Sequence, residues 1–220
     1  MPQAIIFDVD GTLVDSVDLH ARSWQDAFRD FGHDIDAPAI RRHIGKGRDQ
    51  LMPVFLSKDD LDRQGEAIAA HRSALFKERY LPLVTAFPGV RDLFLRLRRD
   101  GRTIALASSA KDEELRAYKR IAGIEDLIDA QTSSEDAEKS KPHPDIFHAV
   151  LTRLNGIDPR AAVVVGDTPY DAEAAGKAGL RTIGVLCGGF AEKDLREAGC
   201  VAIYHDPADM LRRYADWIGL

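Results

Sequence analysis

The sequence predicts an α/β fold, a parallel sheet covered on both faces by helices, with a small all-helical second domain inserted after the first strand. Short apolar runs alternate with amphipathic, helix-like stretches along most of the chain, as in βαβ units whose strands are buried on both sides. Three of these runs end on a polar residue, Asp8, Ser108 and Asp167, and open parallel sheets collect ligands at the carboxyl ends of their strands. The first run stands about 90 residues before the second, where a single βαβ unit needs about 30.

Taken in order, "AIIFDV" (4–9) is the first strand. The insert follows as "DLHARSWQDAFRDFG", "APAIRRHIG", "RDQLMPVFL" and "SKDDLDRQGEAIAAHRSALFKERY", with Trp24, Phe28 and Phe31 recurring at helical spacing. The chain returns near "FPGV" (87–90), where Pro88 and Gly89 punctuate it. The expected division is therefore a core of 1–15 and 87–220 with an insert of 16–86. Beyond it, strands are expected at "TIALAS" (103–108), "AAVVVGD" (161–167), "TIGVL" (182–186) and, weakly, "CVAIY" (200–204). Helices are expected over Val90–Arg99, Lys111–Ala122, Pro144–Leu154, Asp171–Ala178 and Ala191–Ala198.

Composition narrows the function classes. The chain has 220 residues, 45% of them hydrophobic, enough for a sizeable core. With 30 Lys+Arg against 36 Asp+Glu the net charge is −6, so neither a nucleic-acid nor an anionic-membrane surface is expected. Cys187 and Cys200 have no metal-type spacing and make no disulfide framework, which points to the cytoplasm. The apolar run Ala4–Phe7 is cut off by Asp8, so neither a signal peptide nor a membrane span is expected. A monomer or small homo-oligomer is expected.

The stretch "FDVDGTLVDS" (7–16) carries the chemistry. Residues i and i+2 of an extended segment face one side, so Asp8 and Asp10 share a pocket. Two carboxylates that close repel unless a cation sits between them, and Mg²⁺ suits carboxylate and phosphate oxygens. A carboxylate can also act as a nucleophile, and its partner can protonate a leaving oxygen and then deprotonate water. Gly11 permits the tight turn. A plain Asx-rich turn is the competing reading.

The stretch does not stand alone. "DVDGTLVDS" resembles the first motif of the haloacid dehalogenase-like superfamily, "IALASSA" (104–110) the second, "KSKPHPDIF" (139–147) the third and "VVVGDTPYDAEAAGKAG" (164–179) the fourth, in the family's order. The resemblance implies a Rossmann-like core with Asp8 as nucleophile, Asp10 as acid/base and Ser108 as phosphate ligand. It makes Lys141 the charge-neutralising lysine. It also implies Mg²⁺ held by the Asp8 side chain, the Asp10 main-chain carbonyl and Asp167, with Asp171 as supporting acid. From the residues alone, Ser108 could cap a helix, and Asp171 could either cap a helix or support Asp167 or Lys141.

The helical insert matches the cap of one subfamily, which closes over the site and selects the substrate. Within it, "IRRHIGKGRDQL" (40–51) gathers Arg41, Arg42, His43, Lys46 and Arg48, and Gly45 and Gly47 flank Lys46. This loop, with Lys46, Gly47 and Arg48, is expected to meet a small anionic substrate. His20 is a second candidate, because "DSVDLHARSW" resembles the corresponding part of β-phosphoglucomutase.

The leading expectation is a Mg²⁺-dependent phosphatase of a small phosphorylated metabolite, similar to phosphoglycolate and sugar-phosphate phosphatases. The alternative is a β-phosphoglucomutase-like phosphotransferase. That enzyme typically carries Glu where this chain has Gly166, and a cap lysine where this chain has His71–Arg72. A dehalogenase does not need Asp10. A receiver-type switch and a binding-only member fit less well with a cap and a filled set of motifs.

Overall fold

The computed structural model describes residues 1–219. Among the described residues eight strands occur in chain order: β1 (Ala4–Phe7), β2 (Val14–Asp15), β3 (Thr85–Ala86), β4 (Thr103–Ala107), β5 (Ala130–Thr132), β6 (Ala162–Gly166), β7 (Arg181–Val185) and β8 (Cys200–Tyr204). Six of them form one sheet in the order β5-β4-β1-β6-β7-β8, with every neighbouring pair parallel. The helices are α1 (Val17–Asp30), α2 (Ala37–Arg41), α3 (Arg48–Phe55), α4 (Lys58–Leu75), α5 (Val90–Arg99), α6 (Asp112–Ala122), α7 (Asp145–Arg153), α8 (Pro169–Lys177), α9 (Glu192–Glu197), α10 (Pro207–Arg212) and α11 (Tyr214–Trp217).

The strands bury alternate residues on opposite faces. Ile5, Phe7, Ile104, Leu106, Val163 and Val165 meet Leu93, Phe94 and Leu97 of α5, Tyr118 of α6 and Trp217 of α11. Ala4, Ile6, Ala105, Ala107 and Val164 meet Phe147 and Val150 of α7 and Ala174 and Ala175 of α8. The second face carries small residues on its strands, so α7 and α8 can lie close to the sheet and bring their loops to the carboxyl ends of β1 and β6.

Helices α1 to α4 gather around an apolar cluster of their own. Val17, Ala21, Trp24 and Phe28 of α1 face Leu51 and Met52 of α3 and Ile68, Ala69 and Leu75 of α4. The α1 spacing is that of one helix stripe. The chain passes between this layer and the sheet through a two-stranded ribbon, β2 antiparallel to β3, with Val14 opposite Ala86 and Asp15 opposite Thr85.

Every strand the sequence indicates is present. The first ends at Phe7 rather than residue 9, because the Val9 carbonyl already accepts the Thr12, Leu13 and Val14 N–H groups in a tight turn. Three features were not foreseen: β5, the β2–β3 ribbon, and the C-terminal pair α10 and α11.

Candidate active site

The strand order turns at β1, which pairs with β4 on one side and β6 on the other. At such a switch point the loops diverge and leave a crevice. The residues that follow these three strands are Asp8, Ser108 and Asp167. The turn after β1 needs glycine at position 11: its φ is +76°, and a Cβ there would lie 2.3 Å from Asp167 Oδ2.

Asp8 is wired into the sheet. Its Oδ1 accepts a 2.6 Å hydrogen bond from Lys141 Nζ, which also donates to the Ala107 carbonyl at 3.2 Å. The same ammonium lies 2.7 Å from Asp171 Oδ1. Lys141 thus makes two hydrogen bonds and a second ion pair although it is only 1% exposed. Asp171 Oδ2 accepts the Thr168 N–H at 3.1 Å and its hydroxyl at 2.7 Å. Asp171 therefore closes a capping box at the start of α8 and pairs with Lys141 at once. The Thr12 hydroxyl, which the sequence reading passed over, lies 3.2 Å from Asp8 Oδ2 and 3.0 Å from Asp167 Oδ1.

Asp10 is wired outward. Its Oδ1 accepts the Ser16 hydroxyl at 2.6 Å and faces His20 Nε2 at 2.7 Å. Tyr118 of α6 lies 3.0 Å from the same Nε2 and donates to Glu114 at 2.7 Å. On the other side of the ring, Arg72 of α4 donates to His20 Nδ1. A guanidinium only donates, so Nδ1 accepts and the ring hydrogen sits on Nε2, toward Asp10. The imidazole is stacked on Phe76 at 4.2 Å, and the Arg72 guanidinium lies 4.8 Å from the same ring. Arg72, Tyr118 and Glu114 join the site only through this packing. Helical periodicity gives Tyr118 no signal beyond a core-facing aromatic.

The two environments act oppositely. Burial, with repulsion from Asp171 and Asp10 added against the pull of Lys141, pushes Asp8 up to about 7. Burial also raises Asp10, but its contacts with His20 and the hydrogen bonds from Ser16 and Tyr118 outweigh that and hold it below the usual carboxylate range. Asp167 is pushed well up by burial and by Asp8 and Asp171. Burial opposes the charge on Lys141, yet Asp171 and Asp8 raise it above the ordinary lysine value.

Asp8 and Asp10 open on a cavity of about 590 Å³ between the sheet and the helical layer. His20, Lys46, Gly47, Arg48 and Arg72 all line it. At the second motif the wall is Ser109, Ala110 and Lys111. Ser108 lies beneath, fully buried, its Oγ accepting the Ala110 N–H at 3.0 Å. The Lys46 ammonium rests 4.8 Å from the centre of the Tyr170 ring and 3.2 Å from His43 Nδ1. Arg48 pairs with Glu66 at 2.9 Å. Gly47 has an ordinary φ of −71°. Its need for glycine comes from close approach, since a Cβ would fall 1.9 Å from Ser140 Oγ.

Asp8, Asp167 and Asp171 bring carboxylate oxygens within 4.8 Å of one another. Asp171 Oδ1 has no hydrogen bond but is ion-paired with Lys141, and Oδ2 is held by Thr168, whereas Asp167 Oδ2 is buried with no hydrogen-bond partner and no ion pair among the described residues. A buried carboxylate oxygen without a donor, beside a second carboxylate, fits a hard divalent cation. The Asp10–His20–Glu114 group has comparable spacing, but there Ser16, Arg72 and Tyr118 already supply hydrogen-bond partners.

The chain is similar to proteins with related chemistry. It is 29% identical to the phosphorylated carbohydrates phosphatase of Thermotoga maritima, covering 91% of this chain and 93% of that protein. It is 28% identical to the phosphoglycolate phosphatase of Rhodospirillum rubrum, covering 100% and 92%. The crystal structure of a hydrolase from Pseudomonas syringae superposes with a TM-score of 0.85 at 24% identity, over 98% of this chain and 99% of that one, and so shares the fold. Residues 5–185, from β1 through β7 and spanning all four motifs, match the family model of the haloacid dehalogenase-like hydrolases, and the chain belongs to that family.

Proposed function

We propose that the protein is a Mg²⁺-dependent phosphatase of a small phosphorylated metabolite, phosphoglycolate- or sugar-phosphate-like, working through an aspartyl phosphate. The observation that carries this is the pair Asp8 and Asp10. They stand two residues apart on one cavity, one fixed by Lys141 and the other by His20.

In this reading Asp8 attacks phosphorus as the ester P–O bond breaks, and Asp10 gives its proton to the departing oxygen. Water then attacks phosphorus, Asp10 takes its proton, and the bond to Asp8 breaks to release phosphate. Lys141 and Ser108 offset charge on the transferring group. Asp8, Asp167 and the main-chain carbonyl of Asp10 would hold Mg²⁺. When bound, the cation supplies the positive charge that keeps Asp8 ionised at neutral pH. The negative phosphate, placed beside Asp10, favours the protonated carboxyl that the first step needs. Residues 16–86 act as a cap that closes over the ester and shuts out water, turning on the β2–β3 ribbon.

A phosphomutase would use the same core. Two features count against it: in this packing Gly166 has no room for a side chain, because a Cβ would meet Asp171 Cβ at 2.6 Å, and Arg72 is engaged with His20. The test is phosphate release from phosphoglycolate, hexose and pentose phosphates and β-glucose 1-phosphate, with and without Mg²⁺. Mg²⁺-dependent release with one favoured compound supports the reading. Conversion of β-glucose 1-phosphate to glucose 6-phosphate without release replaces it with the mutase.

A further inference from the structure

The loop at 44–49 meets the sheet domain at two places, and each is one step from the buried Asp8–Lys141–Asp171 group. Asp49, in the first turn of α3, accepts the Ser140 N–H on Oδ2 at 3.2 Å and a hydrogen bond from the Ser140 side chain as well. Ser140 is the residue before Lys141. Gly47 lies against the same serine so closely that a Cβ would fall 1.9 Å from its Oγ. The second place is Gly45, where a Cβ would fall 2.6 Å from Thr168 Cγ2. Thr168 holds Asp171 Oδ2 with two hydrogen bonds, and the other Asp171 oxygen pairs with Lys141. The two glycines are thus sites of close contact, and both contacts bear on the residues that hold Lys141.

We propose that Asp49 is a positioning residue: by docking the 44–49 loop on Ser140 it sets the segment that carries Lys141, so the Asp8–Lys141–Asp171 geometry depends on the helical layer being seated. This deepens the phosphatase reading and rests on it. A side chain of the cap thereby reports closure to the core through a backbone N–H. The ion pair beneath needs no contact of its own with the loop.

Asp49 also lines the cavity, so the experiment separates positioning from substrate contact. Phosphate release is measured with Mg²⁺ on acetyl phosphate, too small to extend along the cavity to the loop, and on glucose 6-phosphate. Asp49→Ala is expected to lower kcat about tenfold on both compounds, the order of one charge-assisted hydrogen bond, with KM for acetyl phosphate changed by less than about twofold. Asp49→Asn keeps an acceptor oxygen and is expected to stay within about threefold of the parent. Gly47→Ala, which leaves Asp49 in place and blocks the approach to Ser140, is expected to repeat the Asp49→Ala loss. It carries the test if Asp49→Ala lowers the unfolding midpoint. Hydrogen exchange at the Ser140 amide is expected to quicken in Asp49→Ala.

A loss confined to KM for glucose 6-phosphate makes Asp49 a substrate contact and overturns the proposal. So do unchanged kinetics in both Asp49→Ala and Gly47→Ala, and an Asn variant as damaged as the Ala one. If the parent releases no phosphate from either compound or from p-nitrophenyl phosphate, the phosphatase reading itself falls.

Discussion

Asp8 and Asp10 are separated by one residue and are held by different parts of the molecule. Every partner of Asp8 comes from the sheet domain: Lys141, Thr12 and, at one remove, Asp171. The partners of Asp10 straddle the boundary, with His20 and Arg72 on the helical layer and Tyr118 and Glu114 on α6. Two chemically identical groups are thereby pushed in opposite directions, Asp8 up and Asp10 down. The difference teaches that position relative to helices α1 to α4, more than residue type, decides what each carboxylate can do. Asp8 meets the helical layer only at one remove, through Ser140 and Thr168, whereas Asp10 is held directly by groups of both parts.

The largest effect expected from breaking this comparison is at Asp8 itself. Asp8→Asn keeps size and much of the hydrogen bonding and removes the nucleophile, so phosphate release is expected to fall about 10⁴-fold or more with the unfolding midpoint preserved. Retained turnover would remove the covalent mechanism.

Lys141→Met strips the same side of its cation. It leaves Asp8 and Asp171 buried and unpaired, and urea unfolding is expected to show a loss of about 3–5 kcal/mol. The loss is expected to be larger at pH 8 than at pH 5, where protonation of Asp8 relieves it.

On the other side, Arg72→Met frees His20 Nδ1 and lets the ring take either tautomer. A roughly tenfold fall in kcat is expected, the order of one hydrogen bond to a charged group, together with a changed pH profile. A variant with parental kcat and profile would show that Asp10 does not depend on the helical layer.

The smallest effect separates the two sides by titration. Burial raises Asp8 from its ordinary 3.8 to about 7. Its contribution to stability is therefore complete below pH 3.8 and is lost as pH rises through 7. Mg²⁺ held by Asp8, as proposed, would remove that penalty, so it is expected to raise Tm by a few degrees at pH 8 and by less at pH 5, following about RT ln(1 + [Mg²⁺]/Kd). An equal shift at both pH values would place the ion away from Asp8.

Much of this was legible in the sequence where chemistry and periodicity coincide. Asp8, Asp10, Lys141, Asp167 and Asp171 lie in motifs beside apolar runs, and the sheet brings them together. Strand β5 was not legible because it is a three-residue edge strand, "AQT", with no apolar run. Helices α10 and α11 have only 6 and 4 residues, too few for an apolar stripe to show, although Asp206 and Pro207 carry a cap-and-proline signature. Arg72, Tyr118 and Thr12 could not be found from spacing, since each acts through a contact made across the fold. The need for glycine at position 47 was not legible either, since it comes from the approach of Ser140 across the fold.

The β2–β3 ribbon has a consequence in the language of polymer physics. Val14 faces Ala86 and Asp15 faces Thr85, so the chain that leaves the sheet comes back about one strand spacing away. To the sheet, all that lies between is a closed loop, whose entropic cost grows only with the logarithm of its length. An insert of another size or architecture could be spliced at these four residues with little charge to the sheet's stability. Such a graft would isolate the chemistry of the core from the selectivity of whatever covers it.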